Sequence, residues 1–434
     1  MTKIRKSTVL KLIILGLIIL IPYLFIFVLP PHLTLIGPQD VDKITEGPYA
    51  GHYLVTDGMG FIKIIDSATH TVLWETDEPE FFVHDADMMP GGYSIIVADT
   101  GNDRVFEMNL SNKVILWEWY AKNNSQNTYT DYWNWTEFAI AQGWSSKSIA
   151  IFENFNPPDG YYTHLNTVQF INGTLFNRTY DSILISLRNF DLVVEVNYTA
   201  KKGEPGYMNI TWYYGIPGNY TFLNHQHAPK RWSNGHTTIC DSENDRVIEI
   251  NENNEVVWVY TDKHLRWVRD CEILPNGNYL ITDSSNNRII EVNKTTKKIV
   301  RTFTDFRLLI PYEADYIEED NQIITGANQV VLMFDYDTGK VEDSLGFWYL
   351  FAPFLIILLI GITYQSITCI LEYRKMSDKT WKQRLKSFNI YNKFISISVM
   401  IGTIIIFHYI FAFLWFYGIW HLLEHIPRPQ RALS

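Results

Sequence analysis

Six short groups in this 434-residue chain combine residue types able to do group-transfer or acid–base chemistry. They are His84-Asp85-Ala86-Asp87, His164-Leu165-Asn166, Ser186-Leu187-Arg188-Asn189, His225-Gln226-His227, Arg269-Asp270 and Tyr312-Glu313-Ala314-Asp315. A neutral imidazole is a nucleophile and metal ligand near pH 7, and its protonated form is a general acid. Arg and Asn donate several N–H bonds and suit a group that spreads negative charge over several oxygens. Three histidines, His84, His164 and His227, could alternatively hold Zn²⁺. A Gly-rich phosphate loop and a Ser-His-Asp signature are both absent from the sequence.

Residues so far apart meet only if the fold gathers them, and an internal repeat supplies the means. Asp99-Thr-Gly-Asn-Asp-Arg104, Asp241-Ser-Glu-Asn-Asp-Arg246 and Asp283-Ser-Ser-Asn-Asn-Arg288 are each followed by an apolar residue and then Glu-x-Asn. Apolar runs bounded by Gly, Asn, Asp and Pro, as in Pro90-Gly91-Gly92 and Pro275-Asn276-Gly277, read as short strands and turns. Weaker copies at Tyr53–Trp74, Asp181–Trp212 and Gln322–Val341 complete six units, starting near residues 39, 84, 164, 223, 268 and 313. Four strands per unit at this period predict an all-β, six-bladed β-propeller over residues 31–346, with a Trp- and Tyr-rich insertion at about 123–162 over one face. The Asp and Arg of each repeat are expected to pair across a turn as structural staples. A propeller points its first-strand starts into a central channel. The histidine groups head three consecutive units, which predicts equivalent, converging positions. On that reading Asn224–Trp232 is the first strand of the fourth unit, with His225 on the same strand face as His227, and Lys230 and Arg231 further along, away from the chemistry.

The ordered set of His84-Asp85, His164-x-Asn166, Ser186-Leu187-Arg188-Asn189 and Gln226-His227, the last followed by Asp241-x4-Arg246, resembles the six-bladed arylsulfotransferases of bacteria and archaea. These enzymes move a sulfuryl group between phenols without a nucleotide cofactor. The resemblance spans most of residues 45–345. It implies that His227 is the nucleophile, carrying the group as a sulfohistidine. It also implies that His84, His164, Asn166 and Arg188 bind the sulfate oxygens and assist proton transfer, with His225 in support. Small phenolic and sulfate substrates are expected, and no cofactor. The aromatic insertion could stack on a phenol. The family's late Lys-Thr pair has no counterpart, since the last unit carries Tyr312-Glu313-Ala314-Asp315. Two other functions remain open, a zinc-dependent propeller lyase and a non-catalytic binding or adhesion module.

The propeller is framed by apolar segments. Residues 12–29 are uncharged and follow Lys3, Arg5, Lys6 and Lys11, which predicts an uncleaved signal anchor behind a cytoplasmic N-terminus of residues 1–11. Residues 347–371 and 394–420 predict two more spans, joined by a basic cytoplasmic loop at 372–393 and followed by an outer tail at 421–434. This topology puts the propeller outside the cell, next to a lipid bilayer, with the C-terminal helices free to engage a membrane-protein partner. Glycosylation sequons at Asn109, Asn123, Asn134, Asn172, Asn177, Asn197, Asn209, Asn219 and Asn293 all fall in that outer segment. The net charge of −11 argues against a nucleic-acid partner. Cys240 and Cys271 are either a disulfide or two buried thiols, and Cys369 lies in a span. His421-Leu-Leu-Glu424-His425 matches an inverted zinc-protease pattern but has no domain around it, and His408 lies inside a span.

Overall fold

The structure is a computed structural model that describes residues 35, 37–58, 60–77, 82–121, 133–154, 160–327 and 330–346. The three expected spans, their loops and tails, His408, the 421–425 motif, Cys369 and Asn123 lie outside the described residues. Among the described residues no helix is long and apolar enough to cross a membrane.

Six four-stranded antiparallel sheets follow one another along the chain. Blade one holds β1 (Asp40–Lys43), β2 (Tyr53–Thr56), β3 (Ile62–Ile65) and β4 (Val72–Glu75); blade two holds β5 (Val83–Met88), β6 (Ser94–Asp99), β7 (Arg104–Asn109) and β8 (Ile115–Tyr120). Blade three holds β9 (Leu165–Ile171), β10 (Ser182–Leu187), β11 (Leu192–Asn197) and β12 (Ile210–Tyr214); blade four holds β13 (His227–Arg231), β14 (Thr237–Asp241), β15 (Arg246–Ile250) and β16 (Val256–Thr261). Blade five holds β17 (Val268–Ile273), β18 (Tyr279–Asp283), β19 (Arg288–Val292) and β20 (Ile299–Phe303); blade six holds β21 (Ala314–Ile317), β22 (Gln322–Ala327), β23 (Val330–Asp335) and β24 (Val341–Gly346). This is the expected six-bladed propeller.

The middle strands read as unbroken apolar runs, such as Ile95-Ile96-Val97-Ala98 and Ile183-Leu184-Ile185, because a neighbouring blade covers each face. Six separate hydrophobic cores result, one between each pair of adjacent blades. The last of these packs Val41, Val55 and Ile65 of blade one against Ile324, Val331 and Leu345 of blade six and closes the ring. Lys43 reinforces this seam by pairing with Glu319 at 2.8 Å.

The staples form as expected. Asp99, Asp241 and Asp283 accept from the Nε of Arg104, Arg246 and Arg288 at 2.5, 2.6 and 2.6 Å. The residue before each Arg has a second role. Asp103, Asp245 and Asn287 adopt left-handed φ values of 52°, 48° and 53°, and so does Asp191 of blade three at 51°. Their side chains accept backbone N–H groups that open the next blade, from Thr163 (2.8 Å), Trp267 (2.7 Å), Ile310 (2.8 Å) and His225 (2.8 Å). The conserved spacing therefore ties strand to strand and blade to blade.

Cys240 and Cys271 are free, buried thiols in the core between blades four and five. The insertion forms α1 (Trp135–Ala141), capped by Asn134, and α2 (Ser146–Asn154). Among its described residues, Trp135, Phe138, Trp144 and Phe152 pack on one another and on Phe190 and Tyr213 of blade three and not into the channel as a phenol-stacking surface. Tyr161, at its end, lies edge-on to His164.

Asp241→Ala removes one buried acceptor from the Asn224 N–H (2.7 Å), Asn244 Nδ2 (2.8 Å) and Arg246 Nε (2.6 Å) together. Chemical denaturation should show a loss of about 2–3 kcal/mol; a change within about 0.5 kcal/mol would mean that the staple is decorative.

Candidate functional site

Each inner strand begins in the same way. A residue with left-handed φ comes first: Gly37, Phe82, His164, His225, Trp267 and Ile310, at 61°, 61°, 46°, 50°, 50° and 50°. Two residues later stand Gln39, His84, Asn166, His227, Arg269 and Tyr312, and these six side chains line one cavity. Counted together with the open solvent at its mouth, the empty space of the cavity is about 300 Å³, and Thr167, Ala228, Asp270 and Glu313 complete its wall. In blades two, three and five the inner-strand register shifts here, so that His84, Asn166 and Arg269 are the extra, bulged residues. A bulge re-aims one side chain without ending the strand. Here it turns both the bulged residue and the one after it towards the channel.

This register corrects the expected equivalence of the three histidines. His84 and His227 are equivalent to each other, and to Asn166. His164 and His225 occupy the earlier, left-handed position. The fourth inner strand starts at His227, so His225 lies ahead of it and not on a shared strand face. The His225 backbone N–H serves the blade clamp, and its Nδ1 lies 3.1 Å from Asn224 Oδ1. His164 is close to the cavity, because its Nε2 lies 3.4 Å from Nε2 of His84. Asn166 donates to the carbonyl of Gln226 at 3.0 Å. Arg188 opens the short turn after β10, where blades two, four and five carry Thr100, Ser242 and Ser284, and its Nη1 donates to Asn189 Oδ1 at 2.9 Å.

The hydroxyls at that turn set the state of the two equivalent histidines. Ser242 donates to the carbonyl of Val268 at 2.6 Å and lies 2.7 Å from His227 Nδ1. With its proton committed, Ser242 Oγ accepts from Nδ1–H. That assignment leaves Nε2 of His227 unprotonated, and this buried atom has no hydrogen-bond partner among the described residues. Thr100 repeats the arrangement, donating to the Leu165 carbonyl at 2.6 Å beside His84 Nδ1 at 3.1 Å. Burial holds both imidazoles well below the ordinary histidine range; the positive charges of Arg269 and Arg188 add to it, as does His164. Both are therefore neutral at pH 7.

Arg269 escaped the sequence reading as a site residue. It is 9% exposed and sandwiched between the rings of Trp267 and Tyr312, 4.1 and 4.0 Å from their centroids. It has no hydrogen bond or ion pair among the described residues, and its Nε is a buried, unmatched donor. Burial lowers it to about 10, so it stays charged at neutral pH. A cation fixed in a cavity with no counter-ion among the described residues, next to the bare Nε2 of His227, is arranged to receive an anion.

Below this ring the channel is acidic. Asp40, Asp42, Asp85, Asp87, Asp270, Glu272, Glu313 and Asp315 surround Lys230, whose Nζ lies 2.9 Å from Asp315, 3.1 Å from Glu313 and 3.5 Å from Asp270. Burial alone would lower Lys230, but these carboxylates outweigh it and hold the ammonium well above its usual range. Lys230, expected to be peripheral, is thus the central cation of the channel. Among the described residues no group of three metal-capable side chains with ligand atoms close together includes a histidine.

No family model and no curated protein matches the chain. Among solved structures, a streptogramin B lyase aligns at 12% identity and a TM-score of 0.45, covering 73% of this chain and 86% of that one. The virginiamycin B lyase of Staphylococcus aureus aligns at 10% identity and a TM-score of 0.45, covering 73% of this chain and 87% of that one. The arylsulfotransferase resemblance therefore rests on its local motifs.

Burial raises Asp87 and Asp270 to about 7 and Glu272 to about 8. A carboxyl that titrates near 4 when unfolded and near 7 when folded keeps its proton longer in the native chain. Its contribution to stability is full below about pH 4 and is lost as pH rises through about 7. Asp87→Asn should therefore flatten the decline of Tm between about pH 5 and 8; an unaltered slope would show that Asp87 is not raised.

Proposed function

We propose that the chain is an arylsulfotransferase-like enzyme in which His227 carries a sulfuryl group from an aryl sulfate to a phenol. The observation that carries this reading is Arg269, a buried guanidinium without a counter-ion in the same cavity as the bare Nε2 of His227. Its charge has to be met by a ligand, and a sulfate ester brings the anion and the electrophile together. Arg269 would also supply a cation where the resembled family uses a late lysine.

The chemistry follows from the tautomer. His227 Nε2 attacks sulfur, and the bond from sulfur to the aryl oxygen breaks with its electron pair left on that oxygen. Nδ1–H remains on Ser242 Oγ, so the ring can take up the positive charge of the sulfohistidine. Arg269, Arg188 and Asn166 face the three sulfuryl oxygens. A protonated His164, whose Nε2 lies 3.4 Å from Nε2 of neutral His84, would give its proton to the leaving phenolate and become neutral itself. An acceptor phenol then attacks sulfur, the N–S bond breaks back onto Nε2, and the phenol proton returns to the histidine pair. His225 supports the site through the backbone.

The same proposal sets the propeller outside the cell, anchored by residues 12–29, 347–371 and 394–420 in the bilayer, with the last two available to a membrane-protein partner. In its support, none of the eight sequon asparagines among the described residues is buried. In Asn109, Asn172 and Asn219 Oδ1 accepts from the sequon hydroxyl of Ser111, Thr174 or Thr221.

Incubation with an aryl sulfate should add one sulfuryl mass to the intact protein, and His227→Ala should abolish both this adduct and turnover. Arg269→Leu should lower kcat/KM about 10²–10³-fold while the fold persists. Turnover that survives His227→Ala sinks the nucleophile; stoichiometric zinc lost in His84→Ala and His227→Ala replaces it with a lyase-type centre; and absence of both activity and adduct leaves a binding module.

A nucleophile that must be neutral, held below the usual value of about 6.5, keeps working as pH falls. The acid limb of kcat/KM should therefore lie below about pH 6.5, and a limb above pH 7 would assign that role to another group.

A further inference from the structure

The chain enters and leaves the ring on the same side. Each blade runs four antiparallel strands, so its fourth strand ends where its first begins, and the first strands begin at the cavity. Blade six shows the level directly: the Tyr312 N–H donates to the Gly326 carbonyl at 3.0 Å, Gly326 pairs with Val331, and Val331 pairs with Leu345. In blade one the chain comes in through Gly37, Pro38 and Gln39, with the Pro38 carbonyl against Gly326. Apolar sequence lies directly beyond both points. Five residues separate residue 29 from Leu35, and none separates Gly346 from residue 347. Five residues of fully extended chain reach no more than about 18 Å.

The connections at this end carry exposed apolar side chains. Tyr220, 56% exposed, and Phe222 lie between blades three and four; Phe306, 72% exposed, Leu309 and Ile310 lie between blades five and six; and Ile140 of α1 lies between blades two and three. With the seam of blades six and one, where the chain comes and goes, these points surround the cavity mouth. The far end exposes Tyr93, Val114 and Leu175 as well, but these sit among glycosylation sequons. The Val114 carbonyl accepts the Asn109 N–H at 3.0 Å, and Leu175 stands between Asn172 and Asn177 in the chain. Of the eight sequon asparagines described, Asn109, Asn172, Asn177, Asn197, Asn209 and Asn293 belong to far-end turns; Asn134 and Asn219 belong to connections at the cavity end. Bulky, hydrated glycans on the first six would keep the far end in water.

We propose that the cavity end of the propeller is a lipid-docking face, on which Tyr220, Phe222, Phe306, Leu309 and Ile310 enter the interfacial layer of a bilayer and the cavity mouth opens onto that layer. Aromatic and aliphatic side chains carried on surface loops gain by leaving water for that layer, where a phenol hydroxyl such as that of Tyr220 still finds polar partners. Contacts on opposite sides of the mouth, between blades three and four and between blades five and six, set the face flat against the lipid. The inference rests on the anchoring reading given above and not on sulfuryl transfer: it would stand if the cavity proved to be a binding pocket only.

The experiment uses the full-length protein in a Cys369→Ser background, reconstituted into phosphatidylcholine vesicles with and without a bromine-labelled phosphatidylcholine as quencher. Phe306→Cys and Tyr220→Cys at the cavity end, and Tyr93→Cys and Leu175→Cys at the far end, each carry a small thiol-reactive fluorophore; all four positions are exposed, so the fold persists, and Cys240 and Cys271 are buried and stay unlabelled. Labels at Phe306 and Tyr220 should lose fluorescence in the brominated vesicles, while those at Tyr93 and Leu175 keep theirs. Protein that does not float with the vesicles overturns the anchoring reading and this inference with it. Floating protein whose Phe306 and Tyr220 labels stay unquenched overturns this inference alone; if those labels quench one another as protein density rises, a second copy of the chain covers the face instead. Equal quenching at all four positions also overturns it, since no face is then preferred.

Discussion

A closed ring of sheets has a geometric cost at its centre. Every blade presents an unpaired strand edge to the channel, where buried N–H groups cannot be left without acceptors. This chain meets the requirement with side chains reaching from one blade to the next: Asp40, Asp85, Asp270 and Glu272, together with Thr167 and Gln169 of blade three, which accept from Ala228 (3.1 Å) and Arg231 (2.7 Å). Using short acids for this purpose concentrates negative charge in a low-dielectric space. Lys230 and shared protons answer part of it. The acidic channel is thus first a consequence of closure, and its chemistry follows from that.

The cavity above it is built by two devices that recur with the blades. A left-handed residue at the head of the inner strand, joined by a bulge in blades two, three and five, brings one residue per blade into the cavity, so its wall is set by six positions: Gln39, His84, Asn166, His227, Arg269 and Tyr312. The hydroxyl at the turn between the second and third strands fixes the tautomer of a histidine in its own blade while bonding to the next one, as Ser242 does for His227 and Val268. Packing between blades therefore determines which imidazole nitrogen carries the proton. The result is a gradient of charge, with guanidinium groups and neutral imidazoles above, Asp270 and Glu313 at the boundary and the remaining carboxylates below. An anion in the upper layer would have favourable charges around it, whereas a cation there would face Arg188 and Arg269.

The fold was largely legible because the repeat carries its own geometry. Asp-x4-Arg marks a turn, the residue before Arg marks a left-handed cap, and apolar runs mark strands covered on both faces. The site was legible only in part. His84 and His227 stand out as residue types, but their register does not: counting histidines aligned His164 with His227, two residues out of phase. The clue lay in residues that look unremarkable alone. Phe82-Val83-His84-Asp85-Ala86-Asp87 and Trp267-Val268-Arg269-Asp270-Cys271-Glu272 share one pattern, an aromatic, Val, a variable residue and an acid, then a small residue and a second acid. Aligning them makes Arg269 the counterpart of His84. Lys230 was missed for a different reason. Its role comes from carboxylates on blades five and six, and no local pattern reports a contact made across a channel.

Each blade is built from consecutive residues, and among the described residues no strand is exchanged between the first blade and the last. Leu35 and Leu345, near the two ends of the described ring, lie in the same core. A force applied at those ends therefore falls on side-chain packing and a few polar contacts between blades six and one, not on a ladder of backbone hydrogen bonds. Such a joint opens by peeling, one contact after another, and the five remaining interfaces stay shielded until it has given way. Under mechanical load the ring would behave as a clasp whose weakest point is set by the order of its blades.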